Sequence, residues 1–428
     1  MKRILTLALV VLMALTTVFA NGAKEAPAAE KTNTLTVWAW DPNFNIPALL
    51  EAEKIYQQKN PDFKLNIVEN PSKDIEVKFV TADQAGDYST LPDIFLMQDN
   101  SYQKFIANYP GIFTTLDGSG ISFSDFAAGK LAMSTAGGKH YGVPFDNGAV
   151  IMPIRTDIIA KAGLTVDDFN GVTWSTFFEN AAKVKKTTGI DMLTTSGGSE
   201  IVLMILQSAG ASPYVNGKVN IENNKVLEEA IGIYSRLIKE GLMTDYTDWD
   251  QYIASFNTGK AAGLIQGNWI ISSITAAADQ SGKWAVVPLP KLDGVAGATN
   301  FSNSGGASWA VSSACRNKEL AFDFLKTTLG SNTDLYDTLL VNNGVITTYM
   351  PAAKSARYQD NVEFFGGQKV YSDIVSYANG VPECDFGSYY NDIRSALTDA
   401  ITNVVQKGAD IKAEMKKAQE AVEFAIGG

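Results

Sequence analysis

Between Thr34 and Asn100 the chain alternates between two hydrophobic periods, and this constrains its fold more than any other feature. The β-rich run TLTVWAW ends at the turn Asp41-Pro42. IPALLEAEKIYQQKNP then carries apolar residues at helical spacing and stops at Asn60-Pro61. FKLNIVEN predicts a second strand, DIEVKFVTADQAG a second helix and PDIFLMQDN a third strand. Strands separated by helices of about ten to fifteen residues predict a parallel sheet, because parallel neighbours need a long crossover. The fold class is therefore α/β. In such sheets ligands sit beyond the carboxyl ends of the strands. That rule draws attention to Trp40, Asp41 and Asn43 after the first strand, and to Gln98 and Asp99 after the third. Asp and Asn also serve as ordinary turn and N-cap residues at such places.

Further along, KHYGVPFDNGAVIMPIRTDII reads as two strand-like pieces broken by Asp146-Asn147-Gly148. A helix is expected from near Thr173, with Trp174 packing, and NNKVLEEAIGIYSRLIKEGLM is a helix with a glycine stop. AGLIQGNWIIS runs from strand through turn to helix, with Asn268 and Trp269 at the corner. WAVVPLPKLDG and SGGASWAVSS read as short strands, the second holding Gly306 and Trp309. NKELAFDFLKTTLG is helical, and the tail reads as two helices separated by Gly408.

The start has a different character. Lys2-Arg3, an apolar run from Ile4 to about Thr16 and then Val18-Phe19-Ala20 predict a secretory signal peptide over 1–20, with a flexible tether over 21–32. The apolar run is short for a membrane span, and no Cys lies near the cut to accept a lipid. The expected location is periplasmic or secreted. About four hundred residues then remain, which suits two domains. The net charge of −11 becomes more negative once Lys2 and Arg3 are removed, which argues against nucleic acid and anionic membranes as partners. With one His and two Cys, a zinc site is not expected and no cofactor is implied. Cys315 and Cys384 could pair in an oxidising compartment, although two cysteines do not make a disulfide framework.

No nucleophile elbow, P-loop, dinucleotide fingerprint or HExxH is present. Asp167-Asp168 and Glu228-Glu229 are adjacent surface acids, not carboxylates facing each other across a substrate, so no catalytic residue is assigned. What recurs is an aromatic ring beside amides and carboxylates: Trp40/Asp41, Asp146/Asn147, Asn268/Trp269, Trp309 and Tyr389-Tyr390. A sugar offers an apolar C–H face for a ring and a fringe of hydroxyls for Asp, Asn and Gln. Any single Trp is more often core than ligand platform. Three alternatives stay open: a ferric iron carrier using the two tyrosines, a carrier of glycerol phosphate, and an extracellular glycoside hydrolase. Phosphate would want Arg or helix N-termini, and these motifs offer no basic residue.

Taken in order, the motifs resemble the family 1 extracellular solute-binding proteins of ABC importers, the group that includes maltose-binding protein. PDIFLMQD is similar to the family's PDI strand with its acidic contact. YGVPFDNGAVIMPIRTDII is similar to its first crossing between lobes, TWSTFFENAAKVKK to its TW helix, and FNTGKAAGLIQGNWI to its GKAA…GxW segment. GGASWAVSS resembles the returning strand and VPECDFGSYYNDIRSALTDAI the late helix with an aromatic contact. The resemblance implies a two-lobed periplasmic-binding-protein (type II) fold, each lobe a mixed, mostly parallel sheet flanked by helices, the two joined by a hinge. It implies a first lobe of 33–146 and 304–348 and a second of 147–303 and 349–428. It further implies a monomer that binds a carbohydrate and delivers it to membrane permease subunits, without catalysis. The implied contacts are Trp40, Asp41, Asn43, Asp99, Asp146, Asn147, Trp269 and Tyr390; Gln98, Asn268, Gly306 and Trp309 are added to them as candidates. Leu96, Pro42 and Gly148 depart from the maltose-binding pattern, which argues against maltose itself.

Overall fold

The computed structural model describes residues 33–427; the expected signal peptide and tether, 1–32, lie outside the described residues. The early alternation appears as strands Thr34–Ala39, Lys64–Glu69 and Ile94–Gln98, with helices Asn45–Gln57 and Ser72–Ala85 as the crossovers. All three strands are parallel, with the first in the middle, and Val37 sits opposite both Ile67 and Ile94. Leu35, Val37 and Ala39 pack with Ala48 and Leu49 of the first crossover helix. Trp38, pointing the other way, stacks 6.2 Å from Phe79 of the second. Both faces are covered, as a parallel sheet requires.

Ala307–Ser312 arrives from far along the chain and pairs antiparallel with Ile94–Gln98, placing Trp309 opposite Leu96. Phe113–Thr114 and Val143–Pro144 pair with the same strand and complete a six-stranded sheet.

The second lobe is built around Val150–Arg155, six buried residues. This strand is antiparallel to both Gln266–Gly267 and Trp284–Val287. Parallel bridges from Asp191 to Ala261 and from Thr194 to Leu264 lead to a parallel pair, Leu193–Thr195 with Met243–Asp245. The second sheet is therefore mixed, antiparallel at its centre and parallel at its edge. Helices Gly198–Ser208, Lys225–Lys239, Tyr390–Lys407 and Ile411–Gly427 share one apolar core with the buried Trp174. The last two separate at Gly408, whose φ of +65° supplies the left-handed closure expected of that residue.

Crossing segments join the lobes. Phe145 N–H donates to the Ala307 carbonyl at 3.0 Å, Asn147 N–H to Ile346 at 2.8 Å, and Ser304 N–H to Gly148 at 2.7 Å. A Cβ on Gly148 would stand 2.3 Å from the Ser304 carbonyl oxygen, so glycine is what lets two crossings touch.

Candidate functional site

Residues from the strand ends of both lobes line a cavity of about 550 Å³. The first lobe contributes Trp40, Asp41 and Asn43 from the end of the first strand, Glu69 from the end of the second and Gln98 from the end of the third. Asp146 and Gly306 come from the crossings. The second lobe contributes Ser196, Glu200, Asp248, Trp249, Trp269, Tyr390 and Arg394.

Asp41 has φ +59°, a left-handed conformation that Asp tolerates better than most residues. Its Oδ1 accepts from the Asn43 backbone N–H at 2.9 Å, which holds the Asp41 side chain at the mouth of the first strand. Burial raises the Asp41 carboxyl above its ordinary value and Glu69 adds to this, against the amide hydrogen bonds from Asn43 and Phe44. Backbone strain of this kind persists where the surroundings enforce it, and it concentrates at ligand sites.

Trp269 is half-buried and packs against the cores of both lobes. Its Nε1 donates to the Ser304 carbonyl at 3.0 Å, which anchors the indole edge on a crossing segment. Trp249 lies 6.0 Å away at an interplanar angle of 32°. The two indoles make an apolar surface on the second lobe, with Trp40 contributed by the first. A Cβ on Gly267 would fall 2.2 Å from Trp269 Nε1, so the glycine before Asn268 clears room for the ring. Tyr390 is held edge-on by Phe386 at 5.1 Å.

Beneath the cavity lies a buried charge cluster. Asp99 pairs with Lys130 at 2.5 Å and accepts from the Ser308 hydroxyl at 2.6 Å. Asp146 Oδ1 accepts from the Ala307 N–H at 2.9 Å. Gly306 passes between them at φ +94°, where a Cβ would meet Asp99 Oδ2 at 2.9 Å and the Asp146 carbonyl at 3.1 Å. The Asp146 carboxyl is pushed up to about 7 from 3.8, first by burial and also by Asp99, against Lys130 and the Ala307 amide. Folded protein thus keeps this proton across a window where unfolded chain has lost it. The associated stability is fully present below about pH 4 and is lost as pH rises through about 7. Asp146→Asn is expected to flatten the fall in melting temperature over that window; an unchanged pH slope would assign it to other groups.

The structure brings eight of the expected contacts to the cavity: Trp40, Asp41, Asn43, Gln98, Asp146, Trp269, Gly306 and Tyr390. It places four elsewhere. Trp309 is fully buried, 5.7 Å from Phe145 in the first lobe's core, because alternation along its strand turns it away from the cavity. Asn268 is fully buried behind Trp269. Asp99 is committed to Lys130 and Ser308, and Asn147 closes a local turn by accepting from Gly148 N–H at 2.9 Å. Cys315 and Cys384 are both free thiols.

The expectation of a cleft without a cation is corrected. Arg394 lines the cavity, with Nη1 2.5 Å from Glu200 Oε1. It sits four residues after Tyr390, one helical turn along the same face. That spacing was the available clue. Glu69 could have been found by the strand-end rule, and Asp248-Trp249 by its likeness to Trp40-Asp41.

The sequence matches the family model described as bacterial extracellular solute-binding protein over residues 51–366. It is 34% identical over 388 residues to the lactose-binding protein of Rhizobium radiobacter, spanning 90% of this chain and 91% of that protein. It is 27% identical over 352 residues to the arabinooligosaccharide-binding protein of Bacillus subtilis (strain 168), spanning 77% of each. Among solved structures, an ABC transporter associated binding protein from B. animalis subsp. lactis Bl-04, in complex with beta-1,6-galactobiose, superposes with a TM-score of 0.78. That match has 20% identity and covers 91% of this chain and 97% of that one.

Proposed function

The chain belongs to the bacterial extracellular solute-binding proteins, and from that membership we propose that it captures a saccharide in the cleft between its lobes and delivers it to the permease of an ABC importer. The observation that carries this reading is the composition of the cavity wall. Indoles Trp40, Trp249 and Trp269 stand among Asp41, Asp146 and Glu200, drawn from both lobes. Rings cover the C–H faces of a sugar and carboxylates accept from its hydroxyls. A guest that touches both walls gains contacts available only when the lobes are together, so it shifts the hinge toward closure by that differential affinity.

The lobes divide at 146/147 and 303/304. Tyr349 and Ala352 pack in the first lobe's core and Tyr358 in the second's, which supports a third crossing between Ala352 and Tyr358, later than the expected 348/349. The protein acts as a monomer outside the cytoplasm, after loss of residues 1–20, and catalyses no reaction. A phosphorylated guest is disfavoured because Arg394 is already neutralised by Glu200.

The test is a thermal-shift screen against mono- and disaccharides, beginning with lactose because it is named for the relative at 34% identity. A ligand at a hundred times its Kd adds about 2.7 kcal/mol of stability and raises the melting temperature. A shift with ferric ion or glycerol phosphate and with no saccharide would replace this reading.

A further inference from the structure

Outside the cavity the lobes are joined by a polar contact whose members do not themselves line it, although Ser101 Oγ lies 3.3 Å from Asn100 Oδ1 and Glu76 feels the charge of Arg394, both on the cavity wall. On the first lobe it uses Glu76 of helix Ser72–Ala85, with Ser101 and Lys104 of helix Asp99–Asn108. On the second it uses Asn391 and Asp392 at the start of helix Tyr390–Lys407. Asn391 Nδ2 donates to the two carboxylate oxygens of Glu76 at 3.0 and 3.2 Å and to Ser101 Oγ at 3.1 Å. The Ser101 hydroxyl donates to Glu76 at 2.5 Å, fixing the acceptor. Lys104 Nζ donates to Asp392 at 2.6 Å and lies 5.8 Å from the ring centre of Tyr389.

Successive helical residues point about 100° apart. One turn of helix therefore aims Tyr390 and Arg394 into the cavity and Asn391 and Asp392 at the opposite lobe. The Lys104 and Asp392 side chains are only 25% and 26% exposed, so this pair is better shielded than an open surface bridge.

We infer that Glu76, Ser101, Lys104, Asn391 and Asp392 form a latch between the lobes that sets how readily the cleft closes, and thereby sets affinity without touching the guest. The inference rests on the capture reading above. A contact made only in the closed form raises the population of the binding-competent state, and apparent Kd scales inversely with that population. Because none of the five latch residues lines the cavity, the latch scales the affinity for every ligand by one factor. Residues of the cavity wall, by contrast, change the ranking of ligands.

The experiment is Lys104→Ala with Asn391→Ala in the full chain, read by small-angle scattering without sugar and by titration with each saccharide that binds. The expected result is a larger radius of gyration in the sugar-free protein and a Kd raised by about three- to tenfold, equally for every saccharide. Lys104→Asp combined with Asp392→Lys should recover most of the loss made by Lys104→Asp alone. Unchanged scattering overturns the latch, and so does a Kd change that differs between saccharides. If no saccharide binds the native protein, the capture reading fails while scattering alone still decides the latch.

Discussion

Trp269→Ala is expected to weaken saccharide binding by about 1–3 kcal/mol, or about 5- to 150-fold in Kd. The indole is half-buried, its face lines the cavity and its edge is fixed through the Ser304 carbonyl. Removing it exposes the sugar's apolar face to water and leaves Trp249 without its neighbour. Trp269→Phe separates two contributions. It keeps an aromatic face but loses the hydrogen bond to the crossing segment, so it should bind between the native protein and the alanine variant. Isothermal titration on folded samples gives the comparison. Native affinity in a folded Trp269→Ala protein would reduce this ring to packing.

Trp309→Ala should do the reverse, costing about 3–5 kcal/mol of stability while leaving the affinity of the folded fraction near native. Trp309 is fully buried among Phe145, Val143 and Leu96 in the first lobe, and its truncation leaves a cavity that a close-packed sheet cannot collapse to fill. Domains commonly have about 5–15 kcal/mol of net stability, so the loss is a large fraction of the whole. Chemical denaturation with and without sugar reads both quantities. A Trp309→Ala protein of native stability and weakened binding would return this residue to the ligand site.

These two tryptophans mark how far the sequence was legible. Both follow a glycine-containing turn and a small or polar residue, and either could be platform or core on local grounds. The elements that carry them were readable: strand Ala307–Ser312 and the break at Gly408 lie where hydrophobic period and turn residues put them, and the strand-to-helix corner comes two residues later than expected, with Gln266–Gly267 in the strand instead of the turn. Trp40, Asp41, Asn43 and Gln98 were reachable by the strand-end rule. Trp269 and Tyr390 came through family resemblance. Glu69, Trp249 and Arg394 carried local signals that went unread, whereas Glu200 and the contact between Lys104 and Asp392 gain their roles from neighbours distant in the chain.

By itself the sequence determined the period of each element, the α/β class and the chemistry available at the strand ends. Those depend on backbone sterics and on burial patterns that repeat within a few residues. Tertiary structure alone decided that Asp99 is tied to Lys130, that Arg394 is neutralised by Glu200, and that Asn391 reaches Glu76 across the cleft. Such pairings are set by how two packed lobes meet. Short-range electrostatics and hydrogen bonding fall off within a few ångströms, so only the three-dimensional meeting of the lobes could determine which side chains fall within that reach.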